Sequence, residues 1–212
     1  MSAPGHTTPL RSATFSNLQL NAGIFIANAD YSSIANATAL KTAIQNLVSG
    51  TTSALGQTAK LLGATRGGGS FTVARELRQP DVDGRRYGFK GDTFVDSVDA
   101  QLSTTIVEMT LENFELVFGG YTATGTSPKQ TLKMNTAIAT TDYLTNICWI
   151  GDLADGKLVL ICLKNTINEA DITFTFTDKG EGTIPVEFHA KQGSVNDYDT
   201  APFEVVYFTP AA

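Results

Sequence analysis

The chain has 212 residues, of which 42% are hydrophobic and 17% are charged, and its formal net charge at pH 7 is -6. This length and composition are typical of one or two globular domains with a substantial core. The net negative charge argues against nucleic-acid binding through neutralisation of the phosphates. No apolar run approaches the roughly 20 residues needed to cross a membrane as a helix.

The first 17 residues are polar and rich in Thr, Ser and Pro. We expect them to form an N-terminal arm that is ordered only against a neighbour, and they lack the basic start and apolar stretch of a signal peptide. The remainder, 18–212, is expected to form one domain. Its first strand is predicted by alternating apolar residues, with a break near Gly23: Leu18, Leu20, Ile24 and Ile26.

Two short helices are predicted. Thr38 is the expected N-cap of a helix over 39–48, which ends at Gly50. Thr110 is the expected N-cap of a second helix over 111–118, which ends at Gly119. The apolar stripe of the first helix comprises Leu40, Ile44, Leu47 and Val48, and that of the second comprises Leu111, Phe114 and Phe118.

From residue 70 onward the apolar period is mostly two, which predicts strands. A long strand near 97–109 has a packed face and a wet face, the latter formed by Asp99, Gln101, Ser103 and Thr105. Further strands are predicted at 131–138, 143–150, 157–163, 171–177, 183–191 and 203–208. Together, the predicted strands and helices indicate a mainly β chain. We expect it to form a two-sheet β-sandwich or half-barrel with one or two short flanking helices.

The segment 157–163 is apolar on both faces, so it is expected to be a central strand covered on both sides. An Asp-Gly turn precedes it. If Leu153 pairs with Lys157, Cys148 lies opposite Cys162. Both cysteines sit in apolar runs, which indicates buried free thiols in a protein made in a reducing cytoplasm.

The residues offer little support for catalysis. The glycine run at 67–69 lacks the Gly-Lys-Ser/Thr of a phosphate-binding loop and precedes a strand, so we expect it to be a turning entry into that strand. The two histidines are His6 in the N-terminal arm and His189, which is expected to be a solvated strand residue. There is no metal-ligand spacing and no Gly-x-Ser-x-Gly elbow. We expect no enzymatic activity, no metal and no cofactor.

A long loop at 78–92 carries charges of both signs. Loops of this length are often functional. One interpretation is a solvated loop, and the other is a docking loop whose charges find complements on a second subunit. The charged residues are Arg78, Asp81, Asp83, Arg85, Arg86, Lys90 and Asp92.

The segment 63–119, "GATRGGGSFTVARELRQPDVDGRRYGFKGDTFVDSVDAQLSTTIVEMTLENFELVFG", resembles the major tail protein of long-tailed bacteriophages, the subunit of the tail tube. The similar features, in order, are a Gly/Ser entry, a strand with Glu/Arg alternation, a Val-Asp-Gly-basic turn, a Lys-Gly re-entry, a long strand and a short helix. The late strand "IPVEFHAKQ" at 184–192 is also similar. Together these features cover roughly a third of the chain.

The resemblance implies a structural virion protein made of two packed β-sheets and a flanking helix. Its subunits would form hexameric rings whose sheets continue across subunits, and the rings would stack into a tube. The loop 78–92 would reach the adjacent ring, and the third strand would span 93–109. The implied partners are copies of the chain itself, the tape measure protein, the tail terminator and the distal tail proteins. Assembly would take place in the host bacterial cytoplasm, and the product would be part of the virion.

The resemblance also implies a lumen through which viral DNA passes without specific binding. An acidic wall would repel DNA phosphates, and the candidate lumen-facing residues are Asp96, Asp99 and Glu108. Closing sheets across subunits would remove unpaired strand edges. The alternative is a β-sandwich binding or decoration module of a virion surface. Such modules usually gather exposed aromatic residues, whereas the one tryptophan, Trp149, lies in an apolar strand and is expected to be in the core.

Overall fold

The computed structural model describes residues 19, 21–84, 86–126, 128–176, 178–196 and 200–211. Strands account for 41% of the structure and helices for 12%, which confirms the predicted mainly β class. The N-terminal arm predicted over 1–17, together with Leu18 and Leu20 of the first predicted strand, lies outside the described residues.

The described elements comprise ten strands and two α-helices. In chain order they are β1 (Ile24–Ala27), α1 (Ala37–Val48), β2 (Lys60–Leu61), β3 (Thr65–Arg78), β4 (Phe94–Ile106), α2 (Leu111–Phe118), β5 (Tyr121–Thr124), β6 (Thr131–Met134), β7 (Leu144–Asp152), β8 (Leu158–Asn168), β9 (Ile184–His189) and β10 (Phe203–Phe208). Neither of these helices is long and apolar enough to cross a membrane.

Eight of the described strands form one large antiparallel sheet, which branches at β8 into two parts. The first part of β8 pairs with β7 and β10, and these strands continue through β1 to β2. The end of β8 pairs with β9, which continues through β4 to β3. We call these the first and second sheets. Strands β5 and β6 form a separate two-stranded sheet.

A core lies between the two sheets, as expected for a sandwich. The first sheet contributes Phe25 and Leu163, the second contributes Leu102 and Phe188, and α2 contributes Val117. These side chains are almost fully buried. The predicted two-sheet sandwich with flanking helices is therefore confirmed within the single chain.

A second core lies between the other face of the first sheet and α1. Leu40 of α1 packs there with Leu160 and Cys162 of β8. Because Leu163 of the same strand belongs to the core between the sheets, β8 is covered on both faces. The predicted central strand is thus confirmed.

Helix α1 begins one residue after Asn36, whose side-chain oxygen accepts a hydrogen bond of 2.9 Å from the backbone N–H of Ala39. The prediction of Thr38 as the cap is wrong, since Asn36 supplies an equivalent oxygen one half-turn earlier. Val48 is predicted on the packed stripe, but as the last residue of the helix it is 67% exposed.

Helix α2 has the predicted ends. The hydroxyl of Thr110 accepts from the backbone N–H of Asn113 at 3.2 Å, and Gly119 closes the helix with a φ of 64°. Its buried side is rotated from the predicted one, however. Asn113 is buried together with Leu116 and Val117, whereas Leu111 is exposed. Because a polar residue lies on the packed side, the spacing of apolar residues alone does not identify the buried side of this helix.

The segment 171–177 is not the strand that its alternation predicts. Its described part makes a single bridge, from Thr175 to Thr183. Ile172 and Phe174 instead pack on the core between the sheets, and the Phe174 ring lies 5.4 Å from that of Phe114. The alternating apolar residues therefore reflect side-chain packing against the core, not pairing in a hydrogen-bonded ladder.

Candidate assembly surfaces

The β3–β4 hairpin extends well beyond the sandwich. The two strands pair from Thr65 and Ile106 at the base to Arg78 and Phe94 at the far end. Alternate residues of β4 are buried from Ala100 onward, toward the base. In the described part of 74–98, by contrast, all residues are exposed except two half-buried ones, Pro80 and Asp92. We call residues 74–98 the hairpin arm.

The hairpin arm is rich in exposed apolar side chains. Seven of the 16 large hydrophobic residues that the structure leaves exposed lie on it. Tyr87 is 82% exposed and Phe89 is 72% exposed. Large apolar surfaces of this kind usually mark an interaction site on a soluble protein. The seven residues are Leu77, Val82, Tyr87, Phe89, Phe94, Val95 and Val98.

From the sequence, the function of this segment is predicted from its charges alone. The exposure of its apolar side chains is not predicted. The available signal was the presence of Tyr87 and Phe89 inside a charged turn segment, where they have no alternating pattern to bury them. The boundaries also differ slightly. Strand β3 runs to Arg78 and β4 begins at Phe94, so the connection spans 79–93 rather than 78–92.

Two of the predicted contact charges, Arg78 and Asp92, make contacts within the hairpin arm itself. The guanidinium Nε of Arg78 lies 3.1 and 3.0 Å from the two carboxylate oxygens of Asp96, and its Cζ lies 6.0 Å from the centre of the Phe94 ring. Asp92 accepts a 2.7 Å hydrogen bond from the backbone N–H of Phe89. Because Arg78 and Asp96 are largely exposed, their ion pair contributes little to stability.

The remaining predicted contact charges are on the surface of the connection. Asp81, Asp83, Arg86 and Lys90 are all exposed. Arg85 lies outside the described residues. The tip of the hairpin arm therefore presents acidic and basic groups beside its apolar side chains.

The three candidate lumen-facing acids lie in three different environments. Asp96 is on the hairpin arm and pairs with Arg78. Asp99 is on the outward face of β4. Glu108 lies past the end of β4 and accepts a 2.7 Å hydrogen bond from the backbone N–H of Ala64, near the start of β3. The structure therefore does not gather them into one acidic cluster.

The outward face of the second sheet is polar across all three strands. The wet face predicted for β4 is confirmed by its alternating burial. The strand register places Ser70 of β3 and Glu187 of β9 on either side of Ser103, and the hydroxyls of Ser70 and Ser103 lie 2.8 Å apart. We call this surface the polar face; it comprises Ser70, Thr72, Asp99, Gln101, Ser103, Thr105, Glu187 and His189.

His189 is not the solvated residue that was predicted. Its side chain is only 15% exposed, and its Nδ1 lies 3.0 Å from Asp99 and 3.9 Å from Glu169. Its Nε2 lies 3.5 Å from Glu187. Asp99 lies on the neighbouring strand β4 and Glu169 follows β8, so sequence spacing could not reveal these two contacts; Glu187 is two residues away on β9 itself. Within the described residues, no group of three or more histidine, cysteine, aspartate or glutamate side chains is arranged to hold a metal ion.

The glycine run is a bulge within β3 rather than an entry before it. Gly67 and Gly68 have φ values of 76° and 74°, and the register shifts between Arg66 and Gly69. A Cβ on Gly69 would lie 2.5 Å from the Phe25 ring. The unusual backbone angles expected for the run are confirmed at Gly67 and Gly68, whereas Gly69 allows close packing against Phe25.

A cavity of about 270 Å³ lies beside this bulge. It is lined mainly by apolar side chains, including Phe25, Phe71 and Trp149. Trp149 is half-buried and donates its indole N–H to the backbone oxygen of Ala22 at 2.9 Å, so the prediction that it packs in the core is confirmed in part. The cavity is slightly smaller than typical pockets for small ligands.

No protein-family model matches the chain, and a search of curated proteins finds no significant match. The hairpin arm and the polar face are the two candidate functional surfaces of the described structure, and both are open rather than enclosed.

Proposed function

We propose that the chain is a structural subunit that polymerises with copies of itself as stacked hexameric rings, forming the tail tube of a long-tailed bacteriophage. The observation that carries this proposal is the hairpin arm, which holds seven exposed large apolar side chains away from the body of the domain. Burying one such side chain fully contributes about 1.5–3 kcal/mol. An assembly that covers the hairpin arm would therefore be strongly favoured. The ring symmetry comes from the tail-tube resemblance.

A second copy of the chain is the partner that best fits the hairpin arm. Its tip exposes both acidic residues, Asp81 and Asp83, and basic residues, Arg86 and Lys90. A surface with both signs can pair with an identical surface displaced along an axis, and such pairs set register more than affinity. The hairpin arm would thus dock on the next ring, with apolar burial supplying the free energy.

The sheet edges support closure within a ring. Strand β3 ends the strand order, and in the described residues it pairs with β4 alone. Strand β10 ends the first sheet, and its Val205 and Tyr207 are more than half exposed. Pairing such edges across subunits would satisfy their free backbone groups.

The polar face suits the wall of a bore. Its serine, threonine and glutamine side chains give DNA bases no large apolar surface on which to stack, and Asp99 and Glu187 repel phosphates. His189 on this face and Lys191 just after β9 are engaged with carboxylates, so they bind a phosphate weakly. In this proposal Asp99 lines the lumen, whereas Asp96 pairs with Arg78 on the hairpin arm and Glu108 accepts a hydrogen bond at the base of the hairpin.

The proposal includes the partners and the location that a tail tube requires. The tape measure protein would occupy the bore during assembly, and the tail terminator and distal tail proteins would contact the two ends. Viral DNA would pass through without specific binding. The subunit would be assembled in the host bacterial cytoplasm and retained in the virion, where it has no catalytic role and needs no cofactor.

Negative-stain electron microscopy of the purified chain tests the proposal. We expect hollow tubes of stacked rings in the wild-type protein. We expect none when Leu77, Tyr87 and Phe89 are all replaced by serine, although the variant keeps its circular dichroism spectrum. Isolated particles from the wild-type chain at every concentration would contradict the proposal, and binding of such particles to preassembled virions would favour the decoration module instead.

A further inference from the structure

The first sheet holds the two cysteines of the chain in direct contact. Cys148 on β7 is paired with Cys162 on β8, as the predicted register required. The two sulfur atoms lie 2.8 Å apart, although the residues are 14 positions apart in the sequence. Both residues are buried.

The backbone at this pair already suits a disulfide. At the turn, the N–H of Leu153 donates to the oxygen of Lys157 at 3.0 Å, which marks a hydrogen-bonded pair. Hydrogen-bonded and non-hydrogen-bonded pairs alternate along an antiparallel ladder, so Cys148 and Cys162, five positions away, form a non-hydrogen-bonded pair. Such pairs have Cα atoms about 4.5 Å apart, which is within the range of about 4.4–6.8 Å that disulfides bridge.

The surroundings distinguish the two thiols. Cys148 donates its S–H to the sulfur of Cys162. This hydrogen bond lowers the pKa of Cys162 despite its burial. The same Cys148–Cys162 hydrogen bond, and then burial, raise the pKa of Cys148. Cys162 is therefore the thiol that ionises first and the better nucleophile of the two.

Cys162 also lies close to a solvent-exposed edge. Its partner on β10 is Glu204, whose side chain is 38% exposed. Strand β10 ends the first sheet, so a brief separation of β10 from β8 would admit a small molecule to the sulfur.

We propose that Cys148 and Cys162 form a latent disulfide site, which closes inside the folded domain when the protein meets an oxidising medium. The oxidant is a small-molecule disulfide such as oxidised glutathione. The Cys162 thiolate attacks one of its sulfurs and releases one thiol; the Cys148 sulfur then attacks that of Cys162 and releases the second. One S–S bond of the oxidant breaks and one forms in the protein. The two protein S–H protons end on the two released thiols.

This inference does not depend on whether the chain builds a tube. In the cytoplasm the pair remains as thiols. Outside it, the new bond would tie β7 to β8 at the centre of the first sheet. Closing a loop of this size is expected to raise the thermal midpoint by about 6–12 °C in a domain of this length.

To test this proposal, the folded wild-type chain is incubated with oxidised glutathione. It is then unfolded and alkylated, and its intact mass is measured. We expect a monomer two hydrogens lighter and free of alkylation, with a raised thermal midpoint that returns to its starting value on reduction. Cys148→Ser and Cys162→Ser are matched controls, in which the same treatment should leave the midpoint unchanged. Full alkylation of the treated wild-type protein, a mixed disulfide or dimer as the product, or an unraised midpoint would each overturn the proposal.

Discussion

Replacing Phe89 by serine tests whether the hairpin arm drives assembly. Phe89 is 72% exposed in the single chain, so its ring contributes little to the stability of the monomer. In a tube, the Phe89 side chain would be covered by the adjacent hexamer. The substitution should therefore weaken polymerisation while leaving the free energy of unfolding of the monomer within about 0.5 kcal/mol of the wild-type value.

The expected magnitude follows from the exposed fraction. Full burial of a phenylalanine side chain is worth up to about 3 kcal/mol, and a side chain that is 72% exposed can still gain roughly two-thirds of that, about 2 kcal/mol, on assembly. This loss corresponds to an increase of about 30-fold in the critical concentration for polymerisation. Adding Tyr87→Ser, where the side chain is 82% exposed, should raise it further.

Critical concentration is measured by pelleting assembled material over a dilution series. Val48→Ser is a matched control, because Val48 is 67% exposed but lies at the end of α1, away from the hairpin arm. Urea unfolding of each monomer shows whether the fold is retained. If Phe89→Ser assembles at the wild-type critical concentration, or if Val48→Ser weakens assembly equally, the hairpin arm is not the driving contact.

Three further predictions concern the fold that supports these surfaces. Gly69→Ala should destabilise the chain by about 1–3 kcal/mol in urea unfolding, because its Cβ would lie 2.5 Å from an aromatic carbon and 2.7 Å from a backbone oxygen; an unchanged unfolding midpoint would contradict this packing role. Asn113→Ala should cost about 2–3 kcal/mol, since the buried amide donates to two backbone oxygens at 3.0 and 2.8 Å, and an unchanged thermal midpoint would refute this role. A hydrogen bond from Tyr31 lowers the pKa of Glu204 below its ordinary value of 4.5, so this contribution to stability is fully present above that pH and falls as pH drops through the lowered pKa. Tyr31→Phe should therefore reduce the loss of stability on acidification below pH 4.5, as followed by urea unfolding across pH.

Features set by local chemistry were predictable from the sequence. Thr110 and Gly119 fix the ends of α2, because a side-chain oxygen and a left-handed residue satisfy the free backbone groups there. The Asp-Gly turn fixed the register of β7 and β8, and with it the contact between Cys148 and Cys162.

Features set by distant contacts were not predictable. The alternation of 171–177 was read as a strand, but its described part finds its partners in α2 and the core rather than in a ladder. His189 was read as solvated because the carboxylates around it, Asp99 and Glu169, are far away in the sequence. The exposure of the apolar residues of the hairpin arm could not be predicted, because it depends on where the sandwich ends.

Cryo-electron microscopy of the purified wild-type chain, at concentrations that span the expected assembly range, tests the central claim most directly. The account predicts hollow filaments in which the hairpin arm, residues 74–98, is buried between successive rings and the polar face lines the bore. Filaments whose hairpin arm projects freely into solvent, or a chain that stays monomeric throughout, would contradict it.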